Sequence, residues 1–263
     1  MQIFKPRKSL GQHFLKDKNI ARKIVGALKA DGCKSIVEVG PGTGILTEVL
    51  LENKTIPASF VEIDDSAVAL LNEKFPDIGN RIFHYNFLDL DLSSNFQSPL
   101  AIIGNLPYNI SSQIFFKVLD NRNIVKEMVC MVQKEVAQRI SSLPGNKNYG
   151  ILSVLLQSYY NIEYLFTVKP EVFYPPPKVN SGVIRLVRNG INHLPCNETL
   201  FFRVVKTAFN QRRKILKNSL KTLLAENVSA DAILMKRPEQ LSIDDFVYIT
   251  RSLCETDGYK VLK

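Results

Sequence analysis

The feature that most constrains this chain is a strand that runs straight into a glycine loop. Ser35-Ile36-Val37-Glu38-Val39 is short and mostly apolar, and Gly40-Pro41-Gly42-Thr43-Gly44 follows without a break. Ile45, Leu46, Val49 and Leu50 then recur at helical spacing. Strand, glycine loop and helix in that order open a doubly wound, mostly parallel α/β sheet, which binds ligands beyond the carboxyl ends of its strands. The glycines let backbone approach a ligand closely. The next apolar run, Ala58 to Ile63, carries Glu62 near its end. That is about 20 residues past Gly42, where an acidic side chain accepts hydrogen bonds from ribose hydroxyls. The loop itself reads G-x-G-x-G after Glu38, not G-x-G-x-x-G, so alone it does not say which nucleotide is bound.

A second loop narrows the choice. Ala101-Ile102-Ile103 reads as a buried strand, Gly104 turns the chain, and Asn105-Leu106-Pro107-Tyr108 follows. Asn109, Ser111 and Ser112 then open a helix with Ile114, Phe115, Val118 and Leu119 on its apolar face. The amide oxygen of Asn105 and the carbonyl of Pro107 both suit the hydrogens of an exocyclic amine, and the Tyr108 ring suits stacking on a planar base. Taken alone, such a Pro-Tyr pair more often merely shapes a loop.

Around these loops the chain alternates strand and helix. Residues 1–16 read as a basic arm without helical periodicity. Asp17 suits the N-cap of a helix carrying Ile20, Ile24, Val25 and Leu28, and Gly32 is expected to end it. Further on come a helix from Ser66 to Phe75, strands over 81–85 and 125–132, a helix from Gln133, and a helix from Gly150 to Tyr160. A strand pair, 162–168 and 182–187, flanks Phe173-Tyr174-Pro175-Pro176-Pro177-Lys178-Val179-Asn180-Ser181, a stiff extended segment because three successive prolines exclude helix and central strand. Beyond Asn189-Gly190 only helices are expected. Leu200 to Phe209 and Ile215 to Leu224 supply two, with others at 232–235 and 243–253. The expected division is an arm over 1–16, an α/β domain over 17–189 and a helical domain over 190–263.

The chain of 263 residues carries a net charge of +9, which favours a polyanionic partner. Lys5, Arg7, Lys8, Lys16, Lys18, Arg22 and Lys23 crowd one end against Asp17 alone. Arg203, Lys206, Arg212, Arg213, Lys214, Lys217 and Lys221 form a second cluster with no acid among them. Two focused clusters suit contacts to a phosphate backbone. No apolar run approaches the roughly 20 residues of a membrane span, and no signal peptide is evident. Cys33, Cys130, Cys196 and Cys254 are scattered, as are His13, His84 and His193. Neither a disulfide framework nor a metal site is expected, and a reducing cytoplasm is.

The glycine loop, Glu62 and the Asn-x-Pro-Tyr loop together resemble class I S-adenosylmethionine-dependent methyltransferases that act on adenine N6 or related amines. The likeness then extends over nearly the whole chain. Ser9-Leu10-Gly11-Gln12-His13-Phe14-Leu15, Glu38 to Gly44, Asn105 to Tyr108, Phe173 to Ser181 and Asn210-Gln211-Arg212-Arg213-Lys214 occur in the order found in KsgA-type small-subunit ribosomal RNA adenine N6,N6-dimethyltransferases. The resemblance implies a Rossmann-like methyltransferase domain and a small helical RNA-binding domain. It implies S-adenosyl-L-methionine as cofactor and two adjacent adenosines in the 3′-terminal hairpin of 16S ribosomal RNA as target. The small subunit or its precursor would be the partner, with no metal, no membrane and a monomeric enzyme.

Carried over residue by residue, Gln12, His13 and Leu15 would close over the methionine end of the cofactor. Gly40, Gly42 and their loop would line the methionine and ribose, and Glu62 would bind the ribose hydroxyls. Asn86 stands where the family usually has Asp, contacting the cofactor's adenine amine. An amide oxygen still accepts that hydrogen bond, though without charge assistance, and Asp89 offers a substitute. Asn105 and the Pro107 carbonyl would hold the target N6, with Asn105 also near the cofactor. Tyr108 and Phe173 would pack the two faces of the adenine. Arg212, Arg213, Lys214 and Lys217 would contact RNA. Two acceptors holding the N6 hydrogens out of the ring plane would localise the nitrogen lone pair, so that catalysis is positioning and electrostatics. The rival readings are a large-subunit ribosomal RNA dimethyltransferase of the antibiotic-resistance type, a DNA adenine methyltransferase and a non-catalytic RNA-binding factor on the same fold.

Overall fold

Parallel strands buried on both faces read as unbroken apolar runs, and the centre of this protein is built from two. In the computed structural model, which describes residues 7, 10–52, 55–224 and 231–255, β5 (Leu100–Asn105) and β6 (Val125–Gln133) lie side by side and parallel. Ala101, Ile102, Ile103, Met128 and Val129 are wholly buried there. Burying each large aliphatic side chain is worth about 1.5–3 kcal/mol, which makes this pair the anchor of the sheet. Lys5, Lys8 and Ser9 of the expected arm lie outside the described residues.

The sheet has seven strands. With β2 (Ser35–Val39), β3 (Ala58–Glu62), β4 (Ile82–His84), β7 (Tyr160–Val168) and β9 (Ser181–Arg188), its order is β4-β3-β2-β5-β6-β9-β7. Strands β4 to β6 run parallel, and β9 joins β6 antiparallel. The order reverses between β2 and β5, which sets the switch point where such sheets bind ligands. Helices α1 (Lys18–Ala27), α2 (Ile45–Glu52), α3 (Asp65–Lys74), α5 (Ser111–Asp120) and α6 (Lys134–Ile140) follow the expected alternation, with α4 (Leu92–Asn95) as a short addition. Asp17 caps α1, accepting from the Asn19 and Ile20 amides at 2.8 and 3.0 Å. That helix ends at Ala27 rather than at Gly32, which turns the chain into β2 at a φ of +68°. The physical reason is Glu127 on β6. It is buried, takes the Lys29 and Ala30 amides at 3.1 and 2.7 Å, and pairs with Arg185 at 2.7 Å, so it pulls the chain out of the helix.

Part of the expected arm is a strand. β1 (Phe14–Leu15) pairs antiparallel with β8 (Phe173–Tyr174), Phe14 opposite Tyr174 and Leu15 opposite Phe173. Alternation in so short a pair sends Leu15 and Phe173 into the core and leaves Tyr174 half exposed.

By contacts the chain forms two units, one of Met1–Gln138 and Asn161–Arg188, the other of Arg139–Tyr160 and Asn189–Lys263. The sequence reading assigned 139–160 to the α/β domain, and the structure corrects this. Helix α7 (Ile151–Gln157) packs with α8 (Glu198–Asn210), and the Tyr159 hydroxyl donates to Glu198 Oε1 at 2.8 Å. Val154, Leu155 and Leu156 are all buried, so α7 has apolar neighbours all round, which a solvent-facing layer of the α/β unit would not give. The expected helix over 215–224 shrinks to α9 (Leu216–Ser219), preceded by Ile215, which supplies no side-chain cap. Helix α10 (Ile243–Glu255) completes the second unit.

Candidate active site

Four parallel strands end at one cavity. Val39 of β2 leads into Gly40 and Gly42, β3 ends on Glu62, Tyr85 to Leu88 follow β4, and β5 ends on Asn105. The cavity measures about 330 Å³ and is also lined by Leu10 to Phe14 and by Leu106 to Ile110. Gln12, His13, Gly40, Gly42, Glu62, Asn86, Asn105, Pro107 and Tyr108, expected at the site, all line it.

The glycine loop is shaped by what stands against it. At Gly42 (φ +56°) a Cβ would lie 2.7 Å from the Phe14 ring, so a side chain here would displace the N-terminal segment. At Gly104 a Cβ would lie 2.5 Å from the Val39 carbonyl, so β2 and β5 approach only because that residue is glycine. Gly40 (φ +66°) differs, since a Cβ there would meet no atom within 4 Å and would project into open space.

Glu62 is buried, and its carboxylate accepts the amides of Gly42, Ile63 and Asp64 at 3.0, 2.8 and 2.9 Å. Burial raises its pKa, and these three amides oppose that. Oε2 takes only the Gly42 amide among the described residues, which leaves it capacity for a further donor. Glu38, fully buried one strand away, is pushed up to about 8 by burial against the opposing hydrogen bond from Thr47 Oγ1 at 2.7 Å.

Asn105 Nδ2 donates to the His13 carbonyl at 2.8 Å. That bond fixes the amide orientation and leaves Oδ1 as the free acceptor. The Pro107 carbonyl accepts a long bond from the Ile110 amide at 3.3 Å and retains a lone pair. The Tyr108 hydroxyl meets Ser181 Oγ at 2.6 Å, and burial raises the Tyr108 pKa against that bond. The His13 ring lies 5.3 Å from the Tyr108 ring, tilted by 32°. His13 Nδ1 lies 2.8 Å from the Pro175 carbonyl, which only accepts, so Nδ1 carries a proton. Gln12 Nε2 donates to Asp64 Oδ2 at 2.8 Å, while Asp64 Oδ1 caps α3 through the Ser66 amide at 3.0 Å. Asp64, Pro175 and Ser181 were missed as site-supporting groups. Only Asp64 left a local signal, an Asx residue just before a helix.

Three expected members do not line the cavity. Leu15 and Phe173 face each other across the β1–β8 pair, 2% and 1% exposed, and belong to the core with Ile103 and Val183. Asp89 is exposed, and its carboxylate accepts from Asn86 Nδ2 at 2.7 Å. In the other unit Arg212 is half buried, donates to the Lys147 carbonyl and pairs with Glu239 at 3.8 Å, so it ties loops together. Arg213, Lys214 and Lys217 are exposed and form no ion pair among the described residues. They follow α8 in a turn and the short α9 rather than on one long helix.

Residues 3–252 match the family described as ribosomal RNA adenine dimethylase. The chain belongs to that family. It is 51% identical over 255 residues to the ribosomal RNA small subunit methyltransferase A of Cytophaga hutchinsonii, covering 96% of this chain and 99% of that one. It is 52% identical over 252 residues to the protein of the same name from Parabacteroides distasonis, covering 95% and 94%. Among solved structures, a dimethyladenosine transferase from Plasmodium falciparum superposes with a TM-score of 0.78 at 23% identity, over 92% of this chain and 98% of that one. The 23S rRNA methyltransferase ErmE superposes with 0.67 at 22% identity, over 90% and 99%. These two share the fold, the class I methyltransferase sheet. As an adenine dimethylase the chain is an enzyme that uses S-adenosyl-L-methionine.

The cavity fits that cofactor. Gly40 leaves open the space that a side chain would fill, Glu62 holds a buried acceptor, and Ile63 beside it exposes an apolar side chain at the rim. Among the described residues, no group of three or more His, Cys, Asp or Glu is placed to hold a metal ion, and no helix is long and apolar enough to cross a membrane.

Proposed function

We propose that the chain dimethylates N6 of two adjacent adenosines in the 3′-terminal hairpin of 16S ribosomal RNA, as a cytoplasmic monomer acting on the small subunit or its precursor. The carrying observation is Asn105. Its Nδ2 is spent on the His13 carbonyl, which leaves its Oδ1 as an acceptor in a cavity that Pro107 also lines. Relatives about half identical over nearly the whole chain, named for the small subunit, support that substrate over a large-subunit or DNA target.

Gly40, Gly42 and Glu62 hold the cofactor, with Gln12 and His13 above it and Asn86 at its base. S-adenosyl-L-methionine, when bound, supplies an electrophilic methyl group. Asn105 Oδ1 and the Pro107 carbonyl accept the two N6 hydrogens of the target adenine and draw them out of the ring plane. The nitrogen lone pair is thereby withdrawn from the ring and aimed along a fixed line. Tyr108 stacks on the extruded base, fixed by Ser181 at its hydroxyl. No side chain has to take the proton in the transition state, because it leaves to solvent afterwards. After one transfer a single hydrogen remains, and either acceptor holds it for the second. Arg213, Lys214 and Lys217 grip phosphates of the RNA, and Arg212 supports their turn.

The test is to incubate the protein with methyl-labelled S-adenosylmethionine and undermodified small subunits, and then to map the label. N6,N6-dimethyladenosine at two adjacent positions near the 3′ end is the expected result. Label confined to large-subunit RNA, or none, overturns the reading.

A further inference from the structure

Resting on that reading of the cavity, we propose that Asp89 is a positioning residue that locks the Asn86 amide so that it reads the amine of the cofactor's adenine. An asparagine amide is ambiguous toward a base, because one half-turn exchanges acceptor for donor. At Asn86 both ends are committed. Nδ2 donates to Asp89 Oδ2 at 2.7 Å, and a carboxylate cannot donate in return. Oδ1 accepts from the Leu88 amide at 3.1 Å, and an N–H cannot accept. Two independent partners therefore allow one orientation only. The turn that carries them is itself fixed, by the Asp89 amide on the Asn86 carbonyl at 3.0 Å and by Lys117 Nζ on the Leu88 carbonyl at 2.8 Å.

Oδ1 retains a second lone pair, and Asn86 lines the cavity. Beside it the Phe87 amide has no hydrogen-bond partner among the described residues. One acceptor next to one donor matches the amine and ring nitrogen on the Watson–Crick edge of adenine. Asp89 does more than hold the amide. A carboxylate bonded to the NH2 group polarises the amide and strengthens its oxygen as an acceptor, since bonds in a chain reinforce one another. The pair thus returns to the cavity part of the negative character that a carboxylate at position 86 would bring, while the formal charge stays on the exposed Asp89, where it costs little to solvate.

The experiment is calorimetric and needs no turnover. S-adenosylhomocysteine and its analogue lacking the 6-amino group are titrated into the full-length protein, and the affinity ratio isolates the amine. A ratio of about tenfold, one hydrogen bond's worth, is expected for the natural chain. Asp89→Ala leaves only the Leu88 amide to orient Asn86 and removes the polarisation, so it should cut that ratio severalfold. Adding Asn86→Asp to Asp89→Ala should restore it, because a carboxylate presents an acceptor in either orientation. A loosened fold would weaken both probes alike and leave the ratio unchanged. An unchanged ratio in Asp89→Ala, or no recovery in the double variant, overturns the proposal. Failure of the natural chain to bind either probe instead sinks the cofactor reading beneath it.

Discussion

The cavity has two walls of different construction. One is made of strand ends: Gly40 follows β2, Glu62 and Asn105 end β3 and β5, and all three inherit their positions from strands that are mostly buried. The other is the segment Leu10 to Phe14, held by a two-residue strand pair and by single bonds from Gln12 to Asp64, His13 to Pro175 and Asn105 to His13. The first wall is rigid because unfolding it means unfolding the core. The second depends on a few polar contacts, each worth about 0.5–1.5 kcal/mol or up to about 3 with a charged partner. Damage to the first wall should therefore show in stability and chemistry, and damage to the second in how tightly ligands are held.

The largest effect should come from the buried carboxyl beneath the sheet-borne wall. Folded Glu38 stays protonated up to about pH 8, whereas unfolded it ionises near the ordinary glutamate value of 4.5. Between those values the folded state holds more protons, so stability falls as pH rises through that window, by at most about 1.4 kcal/mol per unit, and levels off above it. Glu38→Gln keeps the Thr47 contact and removes the titration. Denaturation curves should give variant and natural chain similar stability near pH 4.5 and an advantage to the variant that grows toward pH 8. A constant offset would mean that Glu38 ionises freely.

Next is Asn105, which belongs to both walls. Asn105→Ala should cut turnover about 10²–10³-fold at saturating cofactor and RNA, the cost of one well-placed polar group. Because the same change releases the His13 carbonyl, cofactor affinity should also fall. Saturation separates the two losses, since a holding defect is rescued and a positioning defect is not. Dimethylation of small subunits at the normal rate would reduce the loop to scaffolding.

The sheet-borne wall was legible in the sequence because each of its residues sits at a fixed offset from an apolar run. Ser35–Val39 and Ala101–Ile103 announce strands, and the residues just after them must lie at the carboxyl edge. The other wall was legible only as a resemblance. Nothing local in Phe14-Leu15 says that it pairs with Phe173-Tyr174, some 160 positions away, and a two-residue strand carries no periodicity. That pairing turned Leu15 and Phe173 inward, where the resemblance alone had put them at the ligand. The bond from Asn86 to Asp89 was hidden for another reason: an i to i+3 polar pair is common in turns, and only the folded geometry tells which is a lock.

A direct contrast between the walls pairs Glu62 with Gln12. Glu62→Ala should weaken cofactor binding by about 1.5–3 kcal/mol, the scale for hydrogen bonds to a charged group, and should also lower the melting temperature. The carboxylate holds three backbone amides of the loop, so both losses are expected. Gln12→Ala removes its donation to Asp64 and its acceptance from the Arg7 amide, and no contact to the glycine loop. Cofactor dissociation should speed up roughly tenfold, the lower end of the same scale, with no change in melting temperature. If Gln12→Ala melts early, the N-terminal segment is part of the core and the contrast fails.

The smallest effect tests the seam between the walls and the proline loop. If only the ring face of Tyr108 mattered, Tyr108→Phe would be silent. The structure adds the 2.6 Å bond from its hydroxyl to Ser181 at the start of β9. Phenylalanine keeps the stacking face and loses that bond, worth about 0.5–1.5 kcal/mol. Turnover should then fall a few-fold, whereas Tyr108→Ala also loses about 1–3 kcal/mol of stacking. Ser181→Ala should reproduce the phenylalanine variant, and combining Tyr108→Phe with Ser181→Ala should cost no more than either alone, because one bond cannot be lost twice. Additive losses would show that the hydroxyl acts on the substrate itself, which would move Tyr108 from a stacking surface to a third polar contact on the base.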